Sequence, residues 1–468
     1  MTAPISTNTG KTYPAHDALW HLVTMGVLDA DHRPNGWTPP AEDARKTRVA
    51  VIDTSVAISH PNLTGAIQKP FALDLFSARL GSFAAASADD LIGDLHLADV
   101  ASVVQDLPHS QALLTEFTAR LAAGQRAWHR GVRPAVSEVF SAHGTAICGL
   151  IGARPVEIPA STNGVPGAAT TQVLPYCGVD PFCEIVPIST NFDSDPEALI
   201  LAFLYAELIG ADVIHLPRVI PDPARTQPEL SAYVLDDVGG QSLGDLVCRT
   251  PVSATEKELW DELLELIVRI SIRRPVVCAA GNANEEYGVY PANFAAEDNG
   301  IISVGAVNAK GWNCSYSPMH NLTVWAPSSD AERYDRTEVR QDERRHDYDP
   351  TVIPVPNANA KFSHFDVIST DVPGLGGYAA GPHDYAQPPS PDGIREFGSY
   401  FCRFGGTSAA SAQIAGFLSL GRTIGLIEDH AGGIGAKAWL MGLSSGLGAD
   451  HGGMVVPALV GAPKFPDQ

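Results

Sequence analysis

Short apolar runs recur along this chain, and stretches with helical spacing separate them. Val49-Ala50-Val51-Ile52 ends at Asp53, and Glu184–Ile188, Val213–Leu216, Pro275–Ala280 and Ile301–Val307 follow. Apolar runs without alternation are the pattern of strands buried on both faces. Between them, Pro196 stands where a helix tolerates proline best, at the opening of an apolar stretch over 197–209. Ser253-Ala254-Thr255-Glu256 has capping-box spacing ahead of a Leu/Ile-periodic stretch that reaches about 272. Strand and helix in alternation predict an α/β fold, a three-layer sandwich whose mostly parallel central sheet is covered by helices on both faces.

The remaining segments are read around that frame. Residues 1–46 form a polar, proline-containing N-terminal extension with a short helix within 17–28, and residues 463–468 form a C-terminal tail. Helices are expected at 111–124 and 142–152. Four stretches break the rhythm and read as long insertions, near 71–135, 217–250, 328–361 and 374–397. Long loops of this kind are commonly functional, and some are expected to surround a binding cleft.

Composition narrows the function classes. The 468 residues carry 31 Lys+Arg against 53 Asp+Glu, a net charge of −22. Such a surface repels nucleic acid and anionic membrane and favours solubility. No apolar run approaches the length of a membrane span, and the N-terminus lacks the basic and apolar regions of a secretory signal. The seven cysteines are odd in number and several sit in apolar runs, as Cys278 does, which suggests free thiols in a reducing, cytoplasmic setting. Cys177 and Cys183 are spaced too widely for a zinc knuckle, so no metal site is expected.

Three segments have the residue types of acyl-transfer chemistry. Asp53 closes a buried strand, where catalytic groups gather in open α/β sheets, although such an Asp also serves as a turn former. His143, in Ser141-Ala142-His143-Gly144-Thr145, reads as the start of a helix. The positive end of the helix dipole would disfavour its protonated form there and suit a general base, with simple capping as the alternative. Ser408 lies in Phe404-Gly405-Gly406-Thr407-Ser408-Ala409-Ala410-Ser411-Ala412. Its small neighbours would let another chain approach, and the following helix would aim N–H groups at an oxyanion.

In the order Asp, His, Ser, these segments resemble the signature blocks of the subtilase family of serine proteases. The Asp block continues into His60-Pro61-Asn62-Leu63, the His block reads His-Gly-Thr, and the Ser block reads Gly-Thr-Ser-Ala-Ala. Cys278-Ala279-Ala280-Gly281-Asn282 resembles the family's oxyanion block, and Gly164–Ala169 its glycine-rich entry to a strand. The likeness extends over roughly 46–460. It implies a subtilisin-like peptidase domain over 47–462, a catalytic triad of Asp53, His143 and Ser408, an oxyanion donor in Asn282, and a substrate-binding strand and loop containing His215, Leu216, Pro217 and Gly281. The implied activity is endopeptidase hydrolysis of a protein or peptide, with no required cofactor. Calcium is left open, because no loop here has a diagnostic ligand spacing.

The departures from the family pattern are specific. His143 lies 90 residues beyond Asp53, a long interval for the family. Ser55 stands where glycine is usual, which would strain the backbone if φ were positive there. Ala412 stands where proline is usual. Pro217 replaces a glycine in the substrate strand, removing an N–H and adding bulk. These features imply a regulated intracellular protease with restricted substrates, answering to a regulatory protein partner. The alternative is a catalytically silent scaffold of the same fold that binds a peptide or protein.

Overall fold

The strand that ends at Asp53 shows why the molecule has three layers. The computed structural model describes residues 18–84, 95–128, 138–159, 171–191, 195–220, 254–329, 366–373, 400–448 and 453–466. In it β1 (Arg48–Asp53) pairs in parallel with β6 (Glu184–Ser189) on one side and β7 (Val213–Leu216) on the other. Val49 and Val51 enter one apolar cluster, and Ala50 and Ile52 enter a second. Successive side chains of a strand point to opposite faces, so both faces of this sheet are dry. That is why the strand sequences show no polar alternation.

Among the described residues the main sheet has eight strands. From one edge they are β10 (Val324–Pro327), β9 (Ile301–Val307), β8 (Val276–Ala279), β7, β1, β6, β2 (Leu73–Asp74) and β3 (Ser82–Phe83). Neighbours pair in parallel except β2 and β3, which form an antiparallel edge. One face is covered by α1 (Trp20–Thr24), α4 (Glu138–Gly152), α7 (Gly406–Thr423) and α8 (Gly432–Gly442). The other is covered by α2 (Leu97–Val103), α3 (Pro108–Ala122), α5 (Pro196–Leu208) and α6 (Ala254–Arg273). Three antiparallel pairs lie outside the sheet: β4 (Val156–Pro159) with β5 (Thr171–Leu174), β11 (Ile368–Thr370) with β12 (Phe401–Arg403), and β13 (Ser444–Gly446) with β14 (Val455–Pro457).

Local chemistry explains the helix starts. The Asp195 side chain caps α5 by accepting the Glu197 N–H at 2.9 Å, with Pro196 in the first turn as expected. Helix α3 starts earlier than the spacing suggests, at Pro108. Its free N–H groups are met from another helix: the Glu262 carboxylate on α6 accepts from the His109 N–H at 3.0 Å and the Ser110 N–H at 2.9 Å. No local sequence signal marks such a cap.

The stretch 71–135 adds to the layers of the fold. Its described parts extend the sheet edge as β2 and β3 and lay α2 and α3 over α5 and α6. They thicken the helical layer, because Val100, Val103, Leu113, Phe117 and Leu121 bury their side chains there. The stretches 217–250, 328–361 and 374–397 lie outside the described residues apart from a few residues at their ends, as do Ser253 and Gly164–Ala169. Six cysteines, at 148, 177, 183, 278, 314 and 402, are buried free thiols. Among the described residues no helix is long and apolar enough to cross a membrane.

Candidate active site

The strand ends of β1, β7 and β8, adjacent in the sheet, carry the candidate groups. At the first, the Asp53 carboxylate is fully buried and accepts the Thr54 N–H at 2.7 Å. His143 Nδ1 lies 2.7 Å from Asp53 Oδ2 and 2.9 Å from Oδ1. An ionised carboxylate only accepts, so Nδ1 carries the proton and Nε2 of the neutral ring keeps its lone pair. Gly144 permits this closeness. A Cβ there would sit 2.7 Å from the Thr54 carbonyl oxygen and 2.9 Å from that of Ser55. The Gly144 N–H also donates to Thr54 Oγ1 at 3.1 Å.

Two expectations about these blocks need correction. Helix α4 begins at Glu138, so His143 lies in its second turn and gains little from the dipole of the N-terminus. Asp53 rather than the helix end sets its protonation geometry. Ser55 is not among the non-glycine residues with positive φ, so the backbone strain expected of serine at that position does not arise.

Ser408 sits in the first turn of α7. Gly406, at φ +80°, turns the chain into the helix, and a Cβ there would lie 3.0 Å from Asn282 Nδ2. Thr407 then ties the helix start to the loop after β8. Its N–H donates to Asn282 Oδ1 at 2.8 Å, and its hydroxyl, 3.0 Å from the same oxygen, accepts from the Gly281 N–H at 3.0 Å. Committing Oδ1 in this way fixes the amide plane and turns the Nδ2 donors away from Thr407. Asn282 is an exposed residue. Ser408 Oγ donates to the Pro217 carbonyl at 2.9 Å.

The strand end at β7 is placed as follows. His215 and Leu216 are buried with side chains in opposite layers, His215 towards α7 and Leu216 within the α5/α6 cluster. With both side chains buried, a substrate-binding role for this strand would fall to its backbone. Pro217 reaches Ser408 through its carbonyl. Gly281 has φ +116°, and a Cβ there would meet Val289 at 2.8 Å, so glycine is required.

Three residues near the site had no assigned role. The Arg218 guanidinium is buried across the strand ends, donating to the Asn191 carbonyl at 2.7 Å and to Thr190 Oγ1. Burial pushes its pKa down to about 10 against the pull of Asp53, so it stays a cation at neutral pH. A lone cation at the end of an apolar run was the visible signal. His60 accepts the Asn62 N–H on Nδ1 at 3.1 Å, so Nε2 donates to the Tyr400 carbonyl at 2.8 Å. Burial lowers its pKa. It anchors the segment leading to Phe404, whose ring stands edge-on 5.3 Å from that of His143. Ser411, one turn beyond Ser408, is the third. Among the described residues no cluster of three or more His, Cys, Asp or Glu could hold a metal ion.

Comparison with known proteins places part of the chain. Residues 236–423 match the subtilase family of peptidases, a stretch that contains Asn282 and Ser408 but begins after Asp53 and His143. Among solved structures, the nisin leader peptidase NisP from Lactococcus lactis is 13% identical with a TM-score of 0.49, covering 94% of this chain and 91% of that one. A cold-adapted subtilisin-like serine proteinase is 13% identical with a TM-score of 0.45, covering 95% and 98%. The epidermin leader peptide processing serine protease EpiP from Staphylococcus aureus is 15% identical with a TM-score of 0.46, covering 90% and 72%. No curated protein matches the chain.

Proposed function

We propose that this chain is a serine endopeptidase of the subtilase type, with Asp53, His143 and Ser408 as its triad and Asn282 as an oxyanion donor. The observation that carries the reading is the commitment of His143 Nδ1 to the buried Asp53 carboxylate at 2.7 Å, with Ser408 in the first turn of α7. This leaves Nε2 as the base. Ser408 Oγ attacks the scissile carbonyl as its proton passes to His143 Nε2, and the resulting imidazolium is stabilised by Asp53. The oxyanion is met by Asn282 Nδ2 and the Ser408 N–H. His143 then returns the proton to the leaving amine. A hydroxyl has one proton, and that of Ser408 rests on the Pro217 carbonyl, so a turn of the Ser408 side chain precedes attack.

The finer reading is an intracellular, regulated enzyme acting on few proteins or peptides under a regulatory protein partner. Buried free thiols favour a reducing compartment. Pro217 stiffens the strand that would pair with substrate and removes a donor from it. A second reading, the silent scaffold, is favoured by one observation, the Ser408 hydroxyl turned to Pro217.

Fluorophosphonate labelling and peptide-mixture cleavage by wild type and Ser408→Ala test the proposal. Labelling and cleavage by wild type alone support the peptidase. Peptide binding by both proteins, with no labelling of wild type under any trigger, supports the scaffold.

A further inference from the structure

Behind the candidate nucleophile lies a polar chain that the triad chemistry does not use. His215 Nε2 is 3.0 Å from Ser411 Oγ, and Ser411 Oγ donates to the Ser408 carbonyl at 3.0 Å. All three residues are buried, His215 and Ser411 completely. The proton arrangement follows from valence. Ser411 has one hydroxyl proton, and the carbonyl can only accept it, so the imidazole must donate through Nε2–H. His215 Nδ1 then carries a lone pair, and it has no hydrogen-bond partner among the described residues.

The backbone explains why the ring points this way. His215 pairs with Val51 of β1 and Val277 of β8, and those two residues, with Val213, face the α4/α7 layer. Alternation therefore sends the His215 side chain up against α7, one strand from the element that ends in Asp53. The charged groups that act on it are Asp53 and His143. Burial, with His143 acting in the same direction, outweighs Asp53 and keeps the ring neutral, with its pKa pushed down to about 3. A neutral, singly oriented imidazole can hold a serine rotamer across the working pH range without adding charge beside the triad.

We infer that His215 is a positioning residue: by donating Nε2–H to Ser411 it fixes the first turn of α7, and with it the direction of Ser408 Oγ and of the Ser408 N–H. The inference rests on the peptidase reading for its kinetic consequence, while the proton arrangement stands apart from it. Leucine at 215 would fill the space and remove the donor. Glutamine could reach the Nε2 position with an N–H. Small misplacements of a nucleophile are costly, so His215→Leu is expected to lower kcat about tenfold. KM should stay within about twofold, because no substrate contact is lost. His215→Gln should recover most of the loss. Ser411→Ala should match His215→Leu, and the double variant should be no worse than either, since both remove one link.

The experiment combines those kinetics with nitrogen NMR of 15N-histidine-labelled full-length protein, wild type and Ser411→Ala. The expected spectrum assigns His215 as the neutral Nε2–H tautomer from pH 7 to pH 5, with its Nε2 signal moved in Ser411→Ala. An Nδ1–H tautomer, titration near 6.5, or an Nε2 signal indifferent to Ser411→Ala overturns the inference whether or not the protein cuts peptides. Additive losses in the double variant, or a rise in KM that equals the fall in kcat/KM, overturn it as well. If the tautomer is as expected but wild type neither labels nor cuts, the peptidase reading fails and the hydrogen-bond assignment remains. Should His215→Leu not fold, Ser411→Ala, which removes one oxygen, supplies both readouts.

Discussion

The two ends of helix α7 are built from the same kinds of residue and do opposite things. At its C-terminal end the buried Asp180 carboxylate accepts Ser419 Oγ at 2.6 Å, Thr423 Oγ1 at 2.8 Å and the Phe182 N–H at 3.0 Å. Thr47 Oγ1 in turn donates to Thr423, whose own proton is taken. That network is closed, and each of these hydroxyls has a partner. At its N-terminal end, Thr407 commits only the oxygen of Asn282 and leaves the amide donors uncommitted, and the Ser408 hydroxyl rests on the Pro217 carbonyl. A closed network stiffens a fold. An end with uncommitted donors can do chemistry on something that arrives, and the closed end helps hold it still.

The largest expected effect is at the open end. Ser408→Ala should abolish labelling and cleavage with an unchanged melting temperature, measured side by side with wild type. Asn282→Ala should lower kcat by about 10²–10³ with little change in KM, as loss of an oxyanion donor does. An equal effect on KM would make Asn282 a binding residue instead. At the closed end the pattern should reverse. Asp180→Ala leaves buried hydroxyls without their acceptor and should cost about 3 kcal/mol in urea unfolding, with kcat of the folded fraction unchanged. A fall in kcat per folded molecule would mean that the two ends are one unit.

The smallest effect is a pH dependence, and the two ends contribute with opposite sign. His215, held near 3 against an ordinary 6.5, stays neutral in the fold while the unfolded chain takes up a proton. Stability from this source is complete above about 6.5 and is lost as pH falls towards 3, by roughly 2 kcal/mol near pH 5. His60 acts in the same direction. Burial raises the Asp180 pKa above 3.8 despite its three donors, so its contribution is complete below that value and fades as pH rises through the raised one. Urea midpoints at pH 7 and pH 5 should show a fall on the acid side that His215→Gln reduces. An unchanged midpoint for wild type would contradict the buried neutral imidazole.

Much of this was legible in the chain. Runs such as Val49–Ile52 and Ile301–Val307 are apolar without alternation because both faces of the sheet are covered, and that alone implies three layers. Pro196 marks the start of α5 through its own ring. The candidate residues were readable as types: an acid closing a strand, a histidine beside glycine, a serine among small side chains. The beginning of α3 was not readable, since its cap is Glu262, more than a hundred residues away in the chain. The spacing over 111–124 marked a helix but not its packing, since the apolar positions of α2 and α3 acquire a meaning only against α5 and α6.

By itself, then, the order of residues determined the layering and the chain order of Asp53, His143, Asn282 and Ser408. Those are local matters of side-chain size and periodicity. Tertiary structure decided the rest. It turned His215 towards Ser411, because strand alternation and register assign faces that a list of residues does not. It buried Arg218 across the strand ends, gave Ser55 an unstrained backbone, and set the Ser408 hydroxyl on Pro217. Each of these depends on which atoms from distant segments arrive within hydrogen-bond distance, and only the packed chain specifies that.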